Sequence, residues 1–191
     1  MDKYLIILII AITSCSPVEE SNAEIINSCA LGADKYSNGT THYNSNGLYE
    51  LEVPKTWQYE LSFKEPYRTG LFQNSSGSNY NFESLTITDG LNYDGYSQRK
   101  AFDETINLLK NDSNIRRIKN GSYTVNSQKL SWVSYENLEH EKDDLGCLTL
   151  AVLTEASNKK HYFWMLASIF GDEEIENRMC NLIEIINTFK A

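Results

Sequence analysis

The sequence predicts an α+β fold: an antiparallel β-sheet of about six strands, with one central and one C-terminal helix packed on it. Three observations predict it. Apolar residues alternate with polar ones in several short runs, the period of half-buried strands. Between Ser97 and Asn111 the period lengthens to that of a helix, and it does so again after Asp172. Asn, Ser and Gly clusters separate the runs at short intervals, so consecutive strands join through tight turns.

The body opens at Leu48. Tyr49, Leu51 and Val53 alternate with Glu50 and Glu52, a strand with one face buried. Pro54 ends it, because proline has no N–H to give a ladder. Trp57 follows, and the turn at Pro54 lets its ring seal the end of the sheet. Tyr59 to Phe63 alternates again. Thr69 to Gln73 and Asn81 to Thr88 are further strands, with Phe82, Leu85 and Ile87 carrying the apolar weight of the second.

Ser97 to Asn111 is the first helix, with Phe102, Ile106 and Leu109 on its apolar stripe. A meander follows. Ile115 to Lys119 is a short strand, Asn120-Gly121 has the residue types of a hairpin turn, and Ser122 to Val125 returns. Asn126-Ser127 turns again. Leu130, Trp132 and Ser134 then alternate with Ser131, Val133 and Tyr135. In the next strand Leu148, Leu150 and Val152 share a face. His161 to Phe170 is apolar on both faces, which predicts a central, covered strand. Asp172 is the expected N-cap of the last helix, with Glu173-Glu174 at its positive end. Ile175, Met179, Leu182, Ile183 and Ile186 form its stripe.

What precedes the body has a different character. Asp2-Lys3 is followed by an almost unbroken aliphatic run, Tyr4 to Ile12, then by Thr13-Ser14-Cys15. A charged start, an apolar core and small residues before a cut are the secretory pattern. At ~1.5 Å per residue the run reaches about 14 Å, short of the roughly 30 Å a membrane span needs. Ile12-Thr13-Ser14-Cys15 resembles a bacterial lipobox. The resemblance implies removal of residues 1–14 and lipid on the Cys15 thiol, so that the membrane is reached through that lipid. Ser16, where a retention aspartate would stand, favours the outer membrane over the inner. Glu19-Glu20 resemble a surface-export tether, and the side of the membrane stays open.

Residues 15–47 are polar and are read as a tether, and residues 48–191 as one domain. Within the tether, Ala23 to Leu31 is apolar enough for a brief docked helix, with Cys29 as its staple. Net charge is -9, and cutting after Ser14 removes one acid and one base, so the mature chain keeps it. That charge argues against nucleic acid as a partner. Arg116, Arg117 and Lys119 gather near a turn, as a solvated edge does.

With Cys15 taken by lipid, Cys29, Cys147 and Cys180 remain. An oxidising envelope allows one disulfide among them, in any of three pairings. No CxxC is present to suggest zinc or thiol redox chemistry. The stretch Glu139-His140-Glu141-Lys142-Asp143-Asp144 lacks calcium-loop spacing and reads as a solvated loop rather than a metal site. His42 falls in the tether and His161 at a strand start. No catalytic motif and no cofactor motif appears. Tyr80, Tyr93 and Tyr96, with Asn92 and Asp94, suit either a binding loop or packing over the sheet edge.

The segment Leu48 to Trp57, a strand followed by proline and tryptophan, resembles the opening of the PsbP-like superfamily, to which DcrB-type lipoproteins belong. Ile183 to Phe189 resembles its terminal helix. The family's usual glycine before the tryptophan is Thr56 here. The resemblance implies an antiparallel sheet with helices packed on it, and says little of function. The anchor, the compact α/β body and the lack of a catalytic motif point to a non-enzymatic protein that binds a partner protein in assembly or stabilisation. An immunity or effector-binding lipoprotein is the alternative, because an acidic chain suits a basic toxin. A hydrolase is less favoured.

Overall fold

The computed structural model describes Cys29 and residues 40–44, 47–64, 67–75, 82–91, 97–138, 147–156, 161–171 and 174–191. Nine strands and two helices occur among them, in the order β1 (Thr40–Asn44), β2 (Glu50–Pro54), β3 (Gln58–Lys64), β4 (Tyr67–Ser75), β5 (Phe82–Leu91), α1 (Gln98–Asn111), β6 (Ile115–Val125), β7 (Gln128–Asn137), β8 (Cys147–Glu155), β9 (His161–Phe170) and α2 (Ile175–Asn187). β3 to β9 form one antiparallel sheet in the order β3-β4-β5-β9-β8-β7-β6. The sheet has seven strands rather than about six. β1 and β2 pair separately as a two-stranded ribbon.

The large apolar run becomes β9, fourth of the seven strands. Alternation sends Phe163, Met165, Ala167 and Ile169 to one face, where α2 delivers Met179, Leu182, Ile183, Ile185 and Ile186. Leu85, Ile87, Leu130, Trp132, Leu150 and Val152 fill the same layer from β5, β7 and β8. The ribbon closes this side: Tyr49, Leu51 and Val53 are buried, and the Tyr49 ring stacks on Phe189 with centroids 5.4 Å apart. Backbone bonds between Glu50 and Lys190, 2.8 and 2.9 Å long, join the ribbon to the segment after α2. The opposite face is thinner. There Phe102 of α1 sits among Val133, Ala151, Leu153 and Tyr162, with Ile106 and Leu109 beside it.

Three local expectations need correction. Asn120-Gly121 is not a turn; both residues lie inside β6, opposite Val133 and Trp132. Gly121 is there for closeness, since a Cβ on it would stand 3.1 Å from the Trp132 ring. The hairpin turns at Asn126-Ser127, whose φ values of 50° and 64° are the left-handed pair of a tight β-turn. The polar stretch read as a tether contains β1, because its alternate Thr and Tyr residues can pair with β2. Finally, α2 starts at Ile175 after Glu174 in left-handed conformation, with no side-chain cap, and Asp172 lies outside the described residues. α1, by contrast, begins where the sequence indicates: the Ser97 hydroxyl accepts from the Lys100 N–H.

Candidate functional site

Among the described residues, α1 is the helix that packs on the face of the sheet opposite α2. α1 covers the part built by β6, β7, β8 and the start of β9. A row runs across four strands through Leu71, Thr86, Leu166 and Ala151, each the register partner of the next, with its Ala151 end packed under α1. Leu166 is 41% exposed although its strand is the middle of the sheet. A leucine at that place would normally be covered, so its exposure marks where α1 stops.

The flanking rows are hydroxyl-bearing. On one side Thr69 and Thr88 face each other with their Oγ1 atoms 3.3 Å apart. On the other side Ser84 lies beside Ser168, which lies beside Thr149; the last two are buried, with hydroxyl oxygens 3.5 Å apart. Phe82 and Phe170 close that end, their rings stacked with centroids 4.1 Å apart. The accessible part of this face runs from Leu71 through Thr86 to Leu166. Half-buried hydroxyls at Thr69, Thr88 and Ser84 both donate and accept. The exposed Glu60 is the register partner of Leu71 at the β3 end. At the other boundary the buried Gln98 side chain accepts from Trp164 Nε1 at 2.7 Å and donates to the Leu91 carbonyl at 3.3 Å. That fixes the end of α1 on the sheet and with it the limit of the accessible part. Such a face can bind by shape and hydrogen bonding.

The sequence-predicted residues lie elsewhere. Cys29 and Cys180 are joined in a disulfide with Cα atoms 4.9 Å apart. Cys29 is 3% exposed and packs in the core beneath α2. Cys147 opens β8, opposite Phe170 in register. Pro54 is buried at the end of β2, and its carbonyl accepts from the Trp57 N–H at 3.0 Å, which turns the Trp57 ring into the core at 8% exposure. Arg116 and Arg117 both bind the Glu136 carboxylate at 2.8 Å on the β6 edge, next to a bulge where Arg117 has φ 50°. A bulged, charged edge is how a sheet discourages pairing with another chain. Cys15, Glu139 to Asp144, and Tyr80, Tyr93 and Tyr96 with their Asn and Asp neighbours all lie outside the described residues. Among the described residues, no group of three or more His, Cys, Asp and Glu is placed to hold a metal, and no helix is long and apolar enough to cross a membrane.

Sequence reading missed one pair of buried charges. Glu83 is 7% exposed on the α2 side of β5, not outside. Arg178 reaches it from α2 and also donates to the Phe82 and Phe170 carbonyls at 2.9 and 3.0 Å. The signal available was the alternation in β5 itself, which puts Glu83 in phase with Leu85 and Ile87.

No protein-family model matches this sequence, and no curated protein does. Solved structures do. The Ran-binding protein Mog1p of Saccharomyces cerevisiae is 12% identical, with a TM-score of 0.52 over 80% of this chain and 95% of its own. LpqN, involved in cell envelope biogenesis of Mycobacterium tuberculosis, is 11% identical, with a TM-score of 0.53 over 79% and 89%. Cyanobacterial PsbP of Synechocystis aligns over 85% and 99% with 13% identity and a lower TM-score of 0.44. At these identities the likeness is one of fold: the α+β sheet with two helices is the architecture of Mog1p and LpqN.

Proposed function

We propose that this chain is a lipid-anchored protein of the bacterial envelope whose folded body binds a protein partner in assembly or stabilisation, with no chemistry of its own. The observation that carries the binding role is the exposure of Leu166 in the middle strand of the sheet. An exposed leucine among hydroxyl-bearing neighbours is stabilised by a second surface of matching shape and hydrogen bonds. The occupant is therefore a segment of another protein that brings an apolar side chain to Leu166. Two proteins of this fold support the class: one is named for binding Ran, the other for cell envelope biogenesis.

The anchor rests on Ile12-Thr13-Ser14-Cys15. The Cys29–Cys180 disulfide supports the same compartment, since structural disulfides persist where thiols are not kept reduced. The outer membrane is the favoured location because Ser16 follows Cys15. Several acyl chains at ~0.8 kcal/mol per buried methylene make such an anchor permanent. The stretch from Cys15 to Cys29 reaches at most about 50 Å when fully extended, so the disulfide keeps the body near the bilayer.

Two measurements test this. Palmitate labelling of the native protein should be lost in Cys15→Ser; an unmodified chain beginning at Met1 overturns the anchor. For the surface, native lipoprotein and its Leu166→Arg and Leu108→Arg variants are cross-linked in whole cells. Leu108 is 72% exposed on α1 and serves as control. The same cross-linked protein should appear with the native chain and Leu108→Arg, and disappear with Leu166→Arg. A partner retained by Leu166→Arg removes the Leu166 face as the site.

A further inference from the structure

We propose that a second site, beside the first turn of α1, binds a small organic polyanion. A cavity of about 570 Å³ opens where the β6–β7 turn, the end of β8, the start of α1 and the segment after α2 meet. Arg99, Lys129 and Lys190 line it from three different elements, with Glu155, Asn126 and Gln128. Its size is that of a small-molecule site.

Charge makes the place unusual. The chain as a whole carries a net charge of -9. Here Arg99, Lys129 and Lys190 gather beside one side-chain carboxylate, Glu155, and the terminal residue Ala191. Like charges are not gathered at a cavity without cost, and an anion between them removes it. Among the described residues the ion pairs are Lys100–Glu104, Arg116–Glu136, Arg117–Glu136 and Arg178–Glu83; neither Lys129 nor Lys190 is in one.

The cations stand on a fixed frame. Lys129 sits in β7 paired with Thr124, and its carbonyl accepts from the buried Thr154 hydroxyl at 3.2 Å. Lys190 is bridged through its backbone to Glu50. The backbone of each is therefore held while the ammonium is free to move on its stem. Arg99 is more constrained, since its guanidinium donates to the hydroxyl of Ser131, itself 7% exposed. Asn126 is tied down by its amide bond to the Asn187 carbonyl at 2.9 Å, and the Gln128 amide lies against the backbone of Phe189 and Ala191.

A ligand with two or more anionic groups meets all three cations. Glu155 is an acceptor only, so it suits a ligand that also carries a hydroxyl. A hydroxylated polycarboxylate or a phosphorylated sugar has that chemistry. Charge-assisted bonds to Lys and Arg supply most of the attraction and make it salt-sensitive.

The test is calorimetric titration of the purified full-length lipoprotein in neutral detergent, with citrate, pyrophosphate and acetate as probes. Citrate or pyrophosphate should bind saturably, one per chain, and acetate should not. The doubly substituted Lys129→Gln/Lys190→Gln protein should bind at least about tenfold more weakly. Both lysines are exposed, and an unchanged melting curve shows that the variant folds. Lys55→Gln, in the exposed turn after β2, should bind as the native protein does. No saturable binding of either multivalent probe, binding retained by the double variant, or equal weakening in Lys55→Gln overturns the site.

Discussion

Arg178 Nε lies 2.9 Å from Glu83 Oε1, and both side chains are almost removed from solvent, at 12% and 9% exposure. They are 95 residues apart in the chain. The pair, with the Phe82 and Phe170 carbonyls, fixes the first turns of α2 on β5 and β9. Taking away one partner leaves the other charged and buried, which costs about 3–5 kcal/mol. Arg178→Met and Glu83→Leu should each lower the unfolding free energy read from urea titration by that much, and the double variant should recover a large part of the loss. A double variant as unstable as the sum of the singles would show that the charges do not act as a pair.

Gly121 tests a second close approach. Glycine inside a strand normally weakens it by roughly 0.5–1 kcal/mol relative to alanine. Gly121→Ala would then stabilise, were the space free. It is not: the added Cβ falls 3.1 to 3.3 Å from three atoms of Trp132, whose ring is 3% exposed and packed in the core. Overpacking costs about 1–3 kcal/mol, so the expected outcome is net destabilisation of about 1 kcal/mol with a shifted Trp132 fluorescence spectrum. An Ala variant more stable than the native protein would mean that the ring moves freely.

Gly121 also shows where sequence stops informing. Asn-Gly carries a turn's chemistry, but Asn126-Ser127 turns instead because it leaves β6 long enough to reach Asn137 from Ile115 across the whole of β7. Local residue types cannot see that length. Period-two alternation was legible wherever one face meets the core: Tyr49, Leu51 and Val53, then Leu148, Leu150 and Val152, occupy the predicted face. The exposure of Leu166 was not. Ser84, Thr86 and Thr88 read as an ordinary outer face, and Val133 is covered because Phe102 of α1 packs on it while Leu166 stands 41% exposed. Nor was the cavity, since Arg99, Lys129 and Lys190 come together only through the fold.

The Cys29–Cys180 disulfide closes a separation of 151 residues. In the chain-entropy account a loop of that size stabilises by up to about 5 kcal/mol, and typical native bridges by about 2–4 kcal/mol. Reductant should therefore lower the denaturation midpoint by a clear margin. Cys29→Ser and Cys180→Ser should each reproduce that loss, and the two together should add little, because either one opens the same loop. Additive losses, or no response to reductant, would contradict a bridge that holds Cys29 under α2.

Tyr123 gives the fold an alkaline limit. Its hydroxyl bonds the Asn187 side-chain oxygen at 3.0 Å, joining β6 to the last turn of α2. Burial pushes its phenol up from 10.0 to about 12. The neutral form is therefore favoured in the folded state, and its contribution to stability is complete below pH 10. Between pH 10 and pH 12 the unfolded chain gives up this proton while the folded chain keeps it. Stability then falls with rising pH, by up to about 2–3 kcal/mol across the window. Tyr123→Phe should flatten this alkaline limb while costing about 1 kcal/mol at neutral pH through the lost hydrogen bond. Ultraviolet difference absorbance should show a tyrosine ionisation step near pH 12 that is missing in the variant. If the variant loses stability above pH 10 as steeply as the native protein, the limb belongs to another group.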